Sequence, residues 1–389
     1  MTPRSALLLG LAFLGFVSLG LPDGLLGVAW PSIRAGFGLP VDALGALLLA
    51  WTVGFVLASF GIGQVLARVG TGTLLALAHL SVALALFGYS LAPHWSVMVA
   101  FGVLAGLGAG AIDAGLNTHV ATQHGARALN WMHACWGLGA ASGPALMTSL
   151  IAAGRAWQVG YRAIGAWQLV TAACFAATHA RWPRVGTTPV APARRPAPLA
   201  RTLALAPAWL GIAAFFLYTG IEASAGAWGY SLLTEARGFA PMAAGTWISA
   251  YWASLTTGRL GFGWIAGRMA GAPGLRPCIA GMAGGAALVA LGGRGAASGA
   301  GLVLLGLCGG PIYPSLIAAT PRRVGAAHTA NAVGFQVAAA ALGQSLLPAA
   351  LGVLAGRAGL EIVGPALLAA AFALLAVHEG LAARPARPS

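Results

Sequence analysis

Three carboxylates lie inside apolar stretches of this sequence: Asp23, Asp113 and Glu222. An ionisable group surrounded by hydrocarbon is expensive, so each is a functional candidate by default. Asp113 stands in Gly106-Leu-Gly-Ala-Gly-Ala-Ile-Asp-Ala-Gly-Leu-Asn117. The amide of Asn117 follows one helical turn later on the same face. A carboxyl withdrawn from water prefers its neutral form, which lets it load and release a proton. The frame recurs two hundred positions on as Gly306-Leu-Cys-Gly-Gly-Pro-Ile-Tyr313, with a phenol in place of the acid.

Asp23 follows Pro22 and sits between Gly20 and Gly24. A helix breaks easily there, and the backbone is expected to come close to a ligand. Glu222 is expected to pair with Arg259, the one arginine inside a span, either to fasten the second half or to open during turnover. Asn117, Asn130, His133 and Gln336 each donate and accept hydrogen bonds, which suits the hydroxyls of a polyol. The same groups also hold membrane helices together with no ligand involved. Trp228, Trp252 and Tyr313 offer flat faces for a sugar ring, Trp228 first among them. The glycines Gly106, Gly108, Gly110, Gly137, Gly139 and Gly143 are expected to permit close helix packing. Cys135, Cys174, Cys278 and Cys308 lie in apolar runs without metal-ligand spacing and read as packing residues. No catalytic residue, metal or cofactor is expected. The seven acids are scattered, with no His–Glu helix motif, which argues against an enzyme. No filter-like loop recurs, which argues against a channel.

The elements that hold these residues follow from composition. Hydrophobic residues make up 59% of the chain and charged residues 7%. A soluble domain carries about a quarter charged residues, so lipid is the solvent here. Apolar spans of ~20 residues recur from end to end, each long enough to cross a bilayer. Their breaks predict an all-α membrane protein of twelve helices, near 5–31, 41–66, 71–91, 95–122, 128–154, 158–179, 207–232, 241–267, 275–293, 297–319, 327–355 and 358–380. The first run continues past any cleavage site and reads as a membrane helix rather than a leader. The stretch 181–206 is proline-rich and basic and reads as an extended linker. It divides a six-helix bundle, 1–180, from a second, 207–389.

The net charge is +14, and every basic residue is arginine. These arginines sit between spans rather than on one face, which excludes a nucleic-acid partner. Fourteen fall on one side of the twelve-span topology and six on the other (Arg34, Arg155, Arg162, Arg237, Arg294 and Arg357). By that bias both termini and the linker are cytoplasmic, in a multi-pass protein of a cell membrane, a bacterial inner membrane being expected. The halves repeat at offsets of two hundred to two hundred and four: Arg68 with Arg268, Asp113 with Tyr313, Gly139 and Pro144 with Gly343 and Pro348. A same-direction repeat of six spans implies two bundles about an axis along the membrane normal, with a solute site between them.

Several motifs together resemble the major facilitator superfamily, and within it the fucose-permease-like sugar–proton symporters. They are Gly20-Leu-Pro-Asp23 through Trp30-Pro31, Asp113-Ala-Gly-Leu-Asn117, Asn130-Trp-Met-His133, Gly137 to Pro144, Tyr218-Thr-Gly-Ile-Glu222, Gly258-Arg259 and Gly309-Gly-Pro-Ile-Tyr-Pro314. The resemblance spans essentially the whole chain. It implies a carrier with proton-coupling acids on the first and fourth helices, at Asp23 and Asp113. The fucose permease has a glutamate at the second of these positions, one methylene longer. The acid-and-arginine signature after the second helix keeps Arg68 but has Ala67 where an Asp is common. The combined expectation is a monomeric secondary transporter. It would move a small polar solute, a sugar, by alternating access with protons carried by Asp23, Asp113 and Glu222. Asn117, Asn130, His133, Trp228, Tyr313 and Gln336 would meet the solute, and Arg68, Arg259 and Arg268 would serve structure or gating. The alternative is a proton-driven antiporter exporting drugs or metabolites, since Gly137 to Pro144 is similar to the antiporter signature of the fifth helix.

Overall fold

The computed structural model describes residues 3–182, 197–265 and 274–384. Arg268 and residues 183–196 of the expected linker lie outside them. The chain divides into two compact units, Met1–Pro189 with Pro241–Ser249, and Val190–Ala240 with Ala250–Ser389.

The first unit contains α1 (Pro3–Phe37), α2 (Leu44–Val69), α3 (Thr71–Leu91), α4 (Trp95–Gln123), α5 (Gly125–Ala152) and α6 (Trp157–Thr178). In hydrocarbon every backbone polar group must be satisfied within its own segment, so apolar runs of this length fold as helices. α1 packs on α5, α2 on α4, and α3 on both α4 and α6. α3 shows why lipid is needed: it buries His79, Val82 and Leu86 and exposes Leu77, Leu84 and Leu91. The break expected at Asp23 does not occur. α1 runs unbroken through Pro22 and Pro31. A side chain on Gly20 or Gly24 would overlap the backbone of Trp136 or Ala140, so these glycines admit α5 rather than a ligand.

The second unit contains α7 (Leu199–Leu203), α8 (Ala206–Ser231), α9 (Pro241–Ile265), α10 (Leu275–Leu291), α11 (Ala297–Gly309), α12 (Ile312–Val324), α13 (Ala326–Ala358) and α14 (Val363–Ala382). The first residues of α9 cluster with the first unit. α8 packs on α13 and α14, and α10 on α11 and α14. The tenth span, expected as one helix, is two. Gly309 and Gly310 loosen it, and Pro311, which has no N–H, starts the second piece. Part of the expected linker is folded. Asn331 donates to Ala197 O at 2.7 Å, and Thr202 Oγ1 meets His328 Nδ1 at 2.9 Å, seating α7 on the start of α13. Taking α11 and α12 as one span and setting α7 aside, the described residues contain twelve spans. Eight are long and apolar enough to cross a membrane by length and composition alone.

Left-handed glycines end matching helices in the two units: Gly38 (φ 65°) beside Gly238 (φ 70°), and Gly154 (φ 71°) beside Gly359 (φ 83°). A Cβ would strain each turn.

Arg237, expected as a loop charge, is buried at 2% exposure. Its Nη2 donates to Glu361 Oε2 at 2.7 Å and its Nη1 to Ser298 Oγ at 2.7 Å. Ser298 in turn donates to Gly293 O. Three helix ends are thereby clipped together: the π turn after α8, the start of α11 and the turn before α14. Arg237→Ala is expected to cost about 2 kcal/mol, the range for hydrogen bonds to a charged group. Thermal unfolding in detergent measures it, and a wild-type midpoint would show that the clip contributes nothing.

Candidate functional site

In the first unit the predicted polar residues of α1, α4 and α5 connect. Asn117 Nδ2 donates to Asp113 Oδ1 at 3.0 Å, and also to the Asp113 carbonyl. Asn117 Oδ1 lies 3.0 Å from His133 Nε2. Because Asn117 spends its N–H on the acid, its oxygen accepts, so His133 presents Nε2–H. Phe16 of α1 packs edge-on against the His133 ring, with centroids 5.1 Å apart. Trp136, one turn along α5, donates its indole N–H to Asp23 Oδ2 at 2.9 Å. Asp23, Asp113, Asn117 and His133 are all half-buried. Among the described residues no cation pairs with Asp113. A lone amide donor leaves its carboxyl free to exist with or without its proton.

In the second unit the matching position is organised differently. Glu222 of α8 accepts from Arg259 Nη2 at 3.2 Å and, through the same oxygen, from the Tyr218 hydroxyl. Tyr251 O–H donates to the Glu222 backbone carbonyl at 2.8 Å. Tyr313, at the start of α12, completes the group through its rings' contacts with Phe215 (4.9 Å) and Tyr218 (6.4 Å). Glu222 was expected among the proton-coupling acids. It is half of an ion pair with side-chain exposures of 20% for Arg259 and 14% for Glu222. Its charge is already met, which suits a fastener or a switch better than a free proton site.

Of the other expected residues, all but Trp252 lie apart from both clusters. Trp228 is fully buried and donates to Pro348 O at 2.9 Å, linking α8 to α13, so its ring faces are not open to a solute. Gln336 is 3% exposed, accepts from Thr320 at 2.9 Å, and fills the space over Gly211. It ties α13 to α12. Asn130 is exposed near the start of α5 and joins no hydrogen bond among the described residues. Arg68 is exposed in the last turn of α2. Trp252 is buried edge-on against Tyr251, over Gly226.

The sequence reading missed Trp136, Phe16, Tyr218 and Tyr251. Two had a signal: Tyr218 precedes Glu222 by one helical turn, and Trp136 follows His133 by three residues. It also missed a buried polar knot that joins α1, α3 and α6. There His79 Nδ1 meets Gln168 Oε1 at 2.6 Å, and Gln168 Nε2 donates to Ser18 O at 2.7 Å.

Two all-helical units of apolar spans, each with a half-buried ionisable cluster, define a polytopic membrane protein. The Major Facilitator Superfamily profile matches residues 12–348, and the chain belongs to that family. No curated protein matches it significantly in sequence. Among solved structures it is similar to a bacterial homologue of the human lysosomal transporter Spinster in an inward-facing, occupied conformation. Identity is 15% and the TM-score 0.75, covering 98% of this chain and 95% of that one. It is also similar to a variant of the nucleoside transporter NupG, with 14% identity and a TM-score of 0.79, covering 96% of this chain and 99% of that one. At these identities the likeness is one of fold. Members of the family are transporters rather than enzymes.

Proposed function

We propose that this transporter moves a small polar solute, a sugar or a similar polyol, with protons by alternating access. The supporting observation is the line Asp113–Asn117–His133. It offers one carboxyl without a counter-ion among the described residues, bonded to groups that both donate and accept. When Asp113 takes up a proton it changes from pure acceptor to donor. The amide of Asn117 can then turn to offer its oxygen, and the change passes to His133. Loading of the proton and the hydrogen bonding offered to a solute hydroxyl are thus coupled through one short chain. Asp23, held by an indole N–H, is the second acid. The Glu222–Arg259 pair serves the second unit's geometry.

The test is external pH beside de-energised cells given sugars and nucleosides in turn, nucleosides because one solved relative in fold transports them. Alkalinisation with one solute establishes symport. Asp113→Asn is expected to abolish proton-driven accumulation of that solute while leaving solute exchange, which needs no net proton movement. Accumulation at the wild-type level in Asp113→Asn would remove the coupling role.

A further inference from the structure

One end of the second unit holds more positive charge than the chain can neutralise. Arg276 opens α10, Arg322 and Arg323 close α12, Arg384 follows α14, and Arg201 sits in α7. The unit has four carboxylates: Glu222, Glu235, Glu361 and Glu379. Glu222 is taken by Arg259 inside the unit. Glu361 is taken by Arg237 at the opposite end, where Glu235 also lies, in the π turn after α8. Only Glu379 remains at the arginine-rich end, and Arg276 holds it at 2.9 Å. Among the described residues Arg322 and Arg323 have no acidic partner.

The carbonyls at the end of α12 attract cations, which accounts for an arginine in its last turn. They do not account for the rest of this corner. Arg323 is half-buried, and Arg276 at the start of α10 pairs with Glu379 of α14. His378 is 2% exposed, and its Nδ1 has no hydrogen-bond partner among the described residues. α10 packs against both α12 and α14, which brings the three helices together at this end. The outer faces of α10 and α14 carry exposed Leu288 and Phe372, a surface on which acyl chains can lie.

We propose that this corner binds the phosphate of an anionic phospholipid, with Arg322 and Arg323 as its charge partners. A guanidinium fork matches two phosphate oxygens at once. The apolar faces that run on along α10 and α14, away from the arginine-rich end, favour a lipid over a free phosphate. The site does not depend on which solute the transporter carries.

The test uses full-length protein, stripped of lipid in detergent and titrated with phosphatidylglycerol or phosphatidylcholine, with bound lipid counted by native mass spectrometry. Wild type is expected to retain phosphatidylglycerol in preference to phosphatidylcholine. R322Q/R323Q should weaken that retention roughly 25-fold, fivefold per arginine. R155Q/R294Q removes the same charge from exposed loop positions and should change it less than twofold. Should the double variant at the corner not fold, R323K keeps the charge, loses the fork, and is expected to retain intermediate amounts. Four results would each overturn the proposal. They are equal retention of the two lipids, wild-type retention by R322Q/R323Q or by R323K, an equal loss in R155Q/R294Q, and displacement of phosphatidylglycerol by millimolar inorganic phosphate.

Discussion

Glu222→Gln is expected to destabilise the protein more than Arg259→Gln, although both break one ion pair. Removing one partner of a buried pair costs about 3–5 kcal/mol when the other charge is left uncompensated. The two residues differ in how they escape that fate. A guanidinium cannot shed its proton, so in Glu222→Gln the half-buried Arg259 keeps a full charge facing an amide. In Arg259→Gln, Glu222 retains the Tyr218 hydroxyl as donor, so the charge left behind keeps a hydrogen bond. Replacing both by leucine should recover most of the loss, since an apolar pair of similar volume replaces a buried ion pair at little cost. Unfolding midpoints of the three variants and the wild type in one detergent decide it. A larger loss for Arg259→Gln than for Glu222→Gln would overturn the ranking.

The apolar spans were legible in the sequence because span length and turn residues are local properties. The internal repeat was legible for a deeper reason: it records backbone contact. A side chain on Gly106 would overlap the carbonyl oxygen of Trp51, and one on Gly306 the carbonyl oxygen of Tyr251. Gly110 stands in the same relation to Phe55, and Gly310 to Leu255. All four positions shift by two hundred between the units, so the helix pair α2–α4 is rebuilt as α9–α11. The pairing of Asp113 with Asn117 was legible as well, since residues four apart share a helical face. Contacts between distant helices were not legible. Nothing local shows that Trp136 donates to Asp23, or that Pro348 receives the Trp228 indole. Gln336 and Trp228 look like ligand-binding groups in the sequence because hydrogen-bonding capacity is all that the sequence displays. In the fold that capacity is spent holding α13 to its neighbours. The break in the tenth span was written in Gly309-Gly310-Pro311. The similar-looking Pro22 leaves α1 continuous, because interior helices tolerate proline when neighbouring groups re-satisfy the backbone.

The same glycines carry the second large effect, and here the sign should depend on the neighbour. Gly106→Ala, Gly139→Ala, Gly258→Ala and Gly343→Ala each place a methyl group onto the backbone carbonyl oxygen of a facing helix: Trp51, Val17, Leu307 and Phe216 respectively. A carbonyl fixed in its own helical hydrogen bond cannot swing aside as a side-chain tip can. The helices must separate, and packing is lost along their length. Forcing extra atoms into a packed interior costs about 1–3 kcal/mol, and the rigid neighbour puts these sites at the upper end of that range. Gly284→Ala and Gly356→Ala have the same chemistry on helices, α10 and α13, but nothing lies within 4 Å of the added methyl. There alanine's better helix propensity acts unopposed, and stability should rise by up to about 1 kcal/mol. Thermal unfolding of the six variants tests the division. All four strained contacts lie inside a unit, so their variants should lower the amount of folded protein while leaving the solute affinity of the surviving fraction near wild type. A uniform response across the six would mean that helix propensity alone governs these positions, and that the repeat in the sequence does not mark where the helices touch.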